Sequence, residues 1–597
     1  MRKYIFLSIL LIAIAGCTFF SCKQKPVVPE KAITKTLLVQ VDSFILLKNK
    51  LIDDVTGNAP TTELQQLFLQ TRIAYKRMEW ATEYFVPVAS RFVNGPPVPE
   101  VEALDNQVYE PAGLQVIEGM LYPKYDTAQK KELLRQLSLL QKRCDNYKSY
   151  FGNVAIFNWQ VFDAAKLEVF RIITLGITGF DDPLSQKSIA ECGAALASIG
   201  DVMKYYEDEK GAANLAEKID VAVAYLDNDT IFNTFNRAIF ITDYSHPITI
   251  GLSNLEEQLK IPVTKYNRLL NQDAKTLFDT NAFNANAYVP DQWAFTNDKK
   301  IVLGKALFSD AILSGGGGRS CQSCHKPELA FTDGLAKNVT VNGNGLLRRN
   351  TPTLLNAALQ PAQFYDLRAS TLEDQSLSVV QNKDEMHGNM KVAVNKLWRD
   401  NTYRKMFSEA FPRANREGID TLEVMNAIGC YVRSLVALNS RFDEYMRGNK
   451  NAMTAAEING FNLFMGKAKC GTCHYMPLFN GAFPPRFMKI ETEVIGVPQS
   501  LTSNIIDSDM GRYNILQSPS LKHAFKTTTV RNAARTAPYM HNGAFTTLEQ
   551  VVDFYNKGGG NGLGLKIDNQ TLPFDKLELT TVESNELVAF IKSLDSK

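Results

Sequence analysis

Between residues 26 and about 285, apolar side chains return every three or four positions. Leu64, Leu67 and Phe68 do so, as do Leu133, Leu134 and Leu137, and Leu215, Ala216 and Ile219. That interval is the signature of amphipathic helices packed on one another. Strand-like alternation is scarce, and turn signals such as Asn94-Gly95-Pro96-Pro97 separate the helical blocks. The pattern predicts an all-α bundle over residues 23–285. Beyond residue 285 glycine and proline become frequent and the helices shorter, with 314–318 (Ser-Gly-Gly-Gly-Gly) as the most flexible tract. Gly304-Lys305-Ala306-Leu307-Phe308 and Gly460-Phe461-Asn462-Leu463-Phe464 each lead into a cysteine motif. This internal repeat predicts two homologous small domains, 286–445 and 446–597.

The first 22 residues read as an address. Arg2 and Lys3 precede an apolar run from Tyr4 to Ala15, which ends in Gly16 and Cys17. The run is shorter than the ~20 residues a membrane-spanning helix needs and fits a secretory signal. Ile14-Ala15-Gly16-Cys17 resembles a bacterial lipobox, with Cys22 as a second candidate for lipidation and plain signal cleavage as the alternative. The expectation is an exported, periplasm-facing or outer-membrane lipoprotein of a Gram-negative bacterium, held to the membrane only by a lipid anchor.

Size and charge narrow the classes. A chain of 597 residues exceeds one ordinary core and points to three or four domains. Apolar residues make up 45% and charged residues 21%, with a net charge of +2. That balance excludes a disordered chain and a basic protein that coats nucleic acid. Nine cysteines and six histidines are few, so their placement matters. Cys144 and Cys192 lie in the helical half, either as a disulfide or as buried thiols.

The remaining chemistry is in Cys321-Gln322-Ser323-Cys324-His325 and Cys470-Gly471-Thr472-Cys473-His474. In C-x-x-C-H, two thiols bond the haem vinyl groups and the adjacent histidine reaches the iron. This composition would yield about 0.001 such motifs by chance. A zinc site needs four ligands at structural spacing, and a thiol redox pair needs no following histidine. Two covalent c-type haems follow. The fold class expected is mainly α, an N-terminal helical bundle followed by two c-type cytochrome domains.

The surroundings of the motifs resemble the bacterial di-haem cytochrome c peroxidase/MauG family. The resemblance covers about 301–593 through Leu303–Phe308, Arg349–Asn356, Thr528–Asn532, Thr536–Gly543 and Leu548–Val552. It implies that His325 is the proximal ligand of a first, peroxidatic haem and His474 that of a second, electron-supplying haem. Glu385 would be the distal acid/base, Gln375 a second distal polar residue, and Tyr365 a relay between the haems. Asn350, Thr536 and Pro538 match positions that supply oxygen ligands to an inter-domain Ca²⁺. Two departures from the ordinary peroxidases stand out. Asn342 occupies the place of the distal histidine, so the first haem is expected to be open without reductive activation; His387 is the other histidine near the site. Tyr555 occupies the place of the second haem's sixth ligand, with Met540 as the competing candidate. The reaction implied is reduction of hydrogen peroxide with electrons from a small cytochrome or copper protein. Oxidation of a protein substrate and plain electron transfer are the alternatives.

In the helical half, residues 71–80 and 109–118 resemble imelysin-like domains. Gln115 stands where that family has a histidine, so the metal ligand of the family is missing here, and Glu79 and Glu118 read as hydrogen-bonding residues of the bundle.

Overall fold

The computed structural model describes residues 28–102, 107–206, 211–572 and 575–597. The signal and lipobox fall outside the described residues. Among the described residues, no helix is long and apolar enough to cross a membrane.

The bundle grows from the three-to-four spacing. In α1 (Pro29–Thr56) the buried positions are Ile33, Leu37, Val41, Phe44, Lys48, Leu51 and Val55, one stripe of the helix. Helices α2 (Thr61–Phe85), α3 (Pro87–Asn94), α4 (Leu114–Leu121), α5 (Lys130–Asn153), α6 (Asn158–Thr174), α7 (Ser188–Met203), α8 (Ala212–Asn228) and α9 (His246–Gln258) complete it. A two-stranded antiparallel hairpin, β1 (Glu100–Glu102) and β2 (Gln107–Tyr109), pairs Val101 with Val108. Helix α6 is the exception to amphipathicity, being buried on every side from Val161 to Thr174. It carries Asp163, Lys166, Glu168 and Arg171 into the interior, where each charge requires a partner. Arg171 donates to both oxygens of Asp181 at 2.8 and 2.9 Å, and Arg72 donates to Glu191 and to the Asp181 carbonyl. Glu79 is locked by Lys76 at 2.9 Å, and Glu118 accepts from the Ser185 amide at 2.8 Å. The Gln115 amide donates to the Asn94 carbonyl. These groups sit in the bundle's own bonding network. Cys144 and Cys192 are both free and buried, so no disulfide joins them.

Helices stop at Gln258, earlier than the predicted boundary near 285. Pro262 and an Asn- and Asp-rich sequence turn 259–291 into irregular chain. This connector runs to the second haem domain. Phe278 meets Phe442 at 5.7 Å, and its carbonyl accepts from Arg447 at 2.6 Å.

The first haem domain contains α10 (Asp298–Ser309), α11 (Leu372–Gln381), α12 (Met390–Arg399), α13 (Asn401–Ala410) and α14 (Thr421–Arg433). The second contains α15 (Arg441–Met446), α16 (Ala455–Phe464), α17 (Leu548–Asn556) and α18 (Thr581–Ser593). A minimal ladder, β3 (Thr492–Glu493) with β4 (Phe525–Lys526), joins two of its loops. The repeat seen in sequence is a repeat of architecture. In each domain the helix that leads into the C-x-x-C-H motif crosses the last helix at a glycine, Gly304 of α10 against the Ala427 carbonyl of α14 and Gly460 of α16 against the Glu586 carbonyl of α18. Each also turns at a left-handed asparagine followed by two alanines. Asn356 (φ 60°) accepts from the Ala437 amide, and Asn532 (φ 61°) accepts from the Ser596 amide.

The cores are shared unequally. Leu303, Leu307, Val380, Leu397, Phe407 and Val424 form a core belonging to the first haem domain. The bundle and the second haem domain share one continuous apolar core, which includes Phe44 and Trp80 as well as Phe461 and Phe590. At their junction Phe180 packs edge-on against Tyr475 and Phe483, and the Ala238 amide donates to Asn462. Thr178 rests against Gly471, so the second C-x-x-C-H turn is covered. Gln322 and Ser323 of the first turn remain exposed.

Candidate active site

Both motifs fold as one 3-10 turn, Cys321–Ser323 and Cys470–Thr472. The amides of His325 and His474 donate back to Cys321 and Cys470 at 3.0 and 2.9 Å, which groups two thiols with one imidazole. The chain then doubles back to supply each imidazole with an acceptor. Ala330 and Phe331 both adopt positive φ, and the Phe331 carbonyl accepts from His325 Nδ1 at 2.9 Å. His474 Nδ1 meets the Thr528 carbonyl at 3.0 Å. A carbonyl oxygen only accepts, so in both rings Nδ1 carries the proton and the Nε2 lone pair is free for a metal. Burial also pushes both imidazoles down, His474 to about 4, which keeps them neutral as ligands must be. Cys321 and Cys470 are pushed up to about 12 by burial. That is opposite to the low thiol pKa of a redox pair.

The second motif opens onto a cavity of about 260 Å³. Cys470, Cys473 and His474 form one wall, and apolar residues such as Phe464, Leu548 and Ile591 form others. This donor set, two thiols and a metal-ready imidazole facing an apolar space, fits a covalent haem. Tyr555 on α17 and Met540 in the preceding loop both line the cavity. Burial raises the Tyr555 phenol, and the nearby Cys473 and Cys470 add to the shift, so the ring stands close to the thiol wall. Glu493 of β3 is half-buried on this wall, its carboxyl pushed up to about 7 by desolvation and bonded by the Thr571 hydroxyl.

The same cavity continues to the first haem domain. Thr351, Pro352 and Thr353 bound its far side, and Thr353 bonds the Ala330 carbonyl next to the turn that holds His325. Tyr365 lines the same cavity. Its hydroxyl donates to Asn350 Oδ1 at 3.5 Å, and its carbonyl accepts from the Lys526 amide at 2.7 Å. Asn350, Thr536 and Pro538, the three residues expected to hold calcium, all line this cavity. Among the described residues, no group of three or more His, Cys, Asp or Glu forms a metal site. A cation here would rest on neutral oxygens and water, a donor set that suits weakly held Ca²⁺. Arg349 clamps the haem domains together by donating to Asp366 at 2.7 Å and to Asp509 at 2.8 Å.

Glu385 sits in the turn that follows α11, where Asn382 Nδ2 donates to its Oε1 at 2.7 Å. Burial raises its carboxyl above the ordinary carboxylate range, against the opposing pull of Arg368, Asn382 and Arg319. Gln375 lies half-buried on α11, two turns from the C-terminal end that leads to Glu385. His387 is exposed, and its backbone has positive φ. The 314–318 tract is freer at its end than at its start. A Cβ on Gly315 would stand 2.0 Å from the His387 carbonyl, whereas Gly316, Gly317 and Gly318 face open space. Sequence reasoning missed Arg319, Arg368, Asn382, Glu493 and Lys526. None stands in a motif, and each acquires its role through a fold contact. Lys526 lines the cavity with its ammonium pushed down to about 8 by burial.

Residues 298–451 match the family model described as di-haem cytochrome c peroxidase. A cytochrome-c peroxidase, IdrP2, of Denitromonas iodatirespirans is 31% identical over 320 residues, which span 50% of this chain and 83% of that protein. The methylamine utilization protein MauG of Methylorubrum extorquens is 34% identical over 301 residues, spanning 50% of this chain and 79% of its own length. Among solved structures, a MauG-like protein associated with microbial copper homeostasis is 29% identical, with a TM-score of 0.46, over 52% of this chain and 94% of that one.

Proposed function

Because the chain belongs to the di-haem cytochrome c peroxidase family, a family of peroxidase-type oxidoreductases that implies two c-type haems, we propose that it is an exported enzyme that reduces hydrogen peroxide to water at the His325 centre. The observation that carries this reading is a neutral, carbonyl-bonded His325 in the same domain as a half-buried Glu385 whose carboxyl is raised above its ordinary range. Haem, when bound, supplies the iron that coordinates peroxide and the electrons that its reduction consumes.

The residues supply the rest. Glu385 takes the proton from the inner oxygen of peroxide and returns it to the outer oxygen, which then leaves as water. For that task its carboxyl needs a pKa near the working pH, and burial moves it in that direction. Gln375 orients the bound peroxide. Phe331 fixes the imidazole of His325 through its carbonyl. Tyr365 would carry electrons across the cavity between the two centres, and Asn350, Thr536 and Pro538 would hold a Ca²⁺ that keeps the haem domains in register. Tyr555, on the wall of the cavity, would be the second protein group to hold the iron of the second centre. A phenolate there favours the higher oxidation states of iron, whereas Met540 would favour ferrous iron. The donor is a small cytochrome or copper protein, and the N-terminal cysteine anchors the enzyme by lipid on the periplasmic side. The imelysin-like reading of the bundle rests on residues 71–80 and 109–118, and the bundle serves as a scaffold for the second haem domain.

A second reading is oxidation of a residue on a protein substrate. It is favoured by Tyr555 on the cavity wall and by the absence of histidine between His325 and His387. Peroxide turnover by the haem-loaded protein, with and without a reduced donor protein, tests the two. Turnover that requires the donor and forms water supports the peroxidase. Peroxide consumption that depends instead on a second, covalently altered protein supports the other reading.

A further inference from the structure

Three consecutive carbonyls of the Glu385 turn are each bonded from outside it. The Val341 amide donates to Asp384 O at 2.8 Å, and the Gly315 amide to Met386 O at 3.0 Å. Ser314 Oγ adds a second bond to Met386 O at 3.2 Å. Between them, Arg319 Nη1 donates to Glu385 O at 3.3 Å. The other arm of the same guanidinium reaches Val339 O at 3.1 Å and Thr340 O at 3.4 Å. One side chain, two residues before Cys321, thus joins the carboxylate turn to the loop over residues 338–347.

That loop has little packing of its own. It closes on itself through Leu347 N–H to Asn338 O and Thr340 N–H to Gly345 O. Val339 and Leu346 are exposed, and nothing would meet a Cβ on Gly343 or Gly345. Beyond its base, its hold on the domain runs through Arg319 and the Val341 amide. A guanidinium presents several donors in a rigid fork, so it can bridge carbonyls of two segments at fixed separation. An ammonium, as a single flexible point of charge, does this less well.

We propose that Arg319 is a positioning residue that latches the 338–347 loop to the Glu385 turn, setting the place of the carboxyl and of the loop together at the first centre. The inference rests on the reading of Glu385 as the distal acid/base. It gives that centre a fixed distal side, with no rearrangement between the resting and reacting enzyme. Arg319 also counts among the cations that pull the Glu385 carboxyl down, with Arg368 and against Asp384. Its loss therefore moves the acid limb of activity to higher pH.

The test uses full-length, haem-loaded protein and the variants Arg319→Gln, Arg319→Lys and Glu385→Gln. Stopped-flow reaction with peroxide across pH and low-temperature EPR are the readouts. Glu385→Gln is expected to slow the reaction by about 10²- to 10⁴-fold. Arg319→Gln should slow it by about 10- to 100-fold, the scale of a displaced catalytic group. It should also shift the acid limb upward and split the high-spin signal into more than one population, and Arg319→Lys should recover part of the rate. Arg319→Gln with a wild-type rate, pH profile and signal, while Glu385→Gln is slow, overturns the latch alone. Glu385→Gln reacting at the wild-type rate refutes the acid/base reading and, with it, the catalytic meaning of the latch. Should Arg319→Gln fail to load haem, hydrogen exchange in the wild-type protein decides. The latch requires a Val341 amide, bonded to the Asp384 carbonyl, that exchanges far more slowly than that of Asn344, and equal rates overturn it.

Discussion

Gly304 and Gly460 should be among the least replaceable glycines of the two haem domains. A Cβ added to Gly304 would lie 1.9 Å from the Ala427 carbonyl oxygen and 2.9 Å from Tyr431 Cβ. At Gly460 the corresponding distances are 2.0 Å to the Glu586 oxygen and 2.8 Å to Phe590 Cβ. The obstacle in each case is backbone, so the helices themselves must part by more than an ångström, since Cβ contacts below 3.0 Å are essentially never seen. Such overpacking costs about 3 kcal/mol, and the better helix propensity of alanine returns up to about 1 kcal/mol, leaving about 2 kcal/mol for Gly→Ala at either site. The effect on melting temperature depends on the size of the unit that melts. The first haem domain has its own core and roughly 160 residues, so Gly304→Ala should lower its transition by about 6 °C. The second shares its core with the bundle, roughly 400 residues in all, and Gly460→Ala should lower that transition by only about 2 °C. Scanning calorimetry on the haem-loaded protein resolves the two. An unchanged or raised transition for Gly304→Ala would refute the close-crossing argument, and equal shifts would refute the division of cores.

Three further outcomes follow. The peroxide reaction should decline as pH falls through a Glu385 pKa that burial sets above the usual carboxylate range, because only the ionised carboxyl can take the proton; Glu385→Gln should be slow and lack that limb in a stopped-flow pH profile. Tyr555→Phe should abolish the low-spin EPR signal of the second centre while Met540→Leu leaves it; the reverse pattern would make Met540 the ligand. Calcium chelation should slow electron transfer between the centres and be reversed by added Ca²⁺, since only neutral oxygens of Asn350, Thr536 and Pro538 are on offer; an insensitive, calcium-free protein would exclude the site.

What was legible in the sequence was what local spacing encodes. C-x-x-C-H fixes a turn, and the turn fixes the chemistry, so both motifs could be read without a fold. The repeated glycine before each motif was visible as well, although its reason, a carbonyl of the last helix 120 to 130 positions further on, was not. The bundle announced itself through the three-to-four spacing in α2, α5 and α8, but α6 is apolar and charged on all sides, and only its partners Asp181 and Glu79 explain Arg171. The helices end at Gln258 rather than near 285, because apolar residues such as Leu269, Leu270 and Leu277 serve a shared core without forming helices. Arg319 and Arg368 could not be found from spacing. Their meaning depends on which carbonyls and carboxylates the fold delivers to them. Equally, nothing local indicated that Thr178 would cover the second motif while the first stayed exposed.

The central claim is that the His325 centre is open to peroxide at rest and the His474 centre is capped. Low-temperature EPR of the fully haem-loaded, ferric protein as isolated tests it most directly. The account predicts one high-spin signal, from the first centre, and one low-spin signal, from the second. Two low-spin signals would contradict it, because a ligand would then already occupy the distal side that Glu385 is placed to serve.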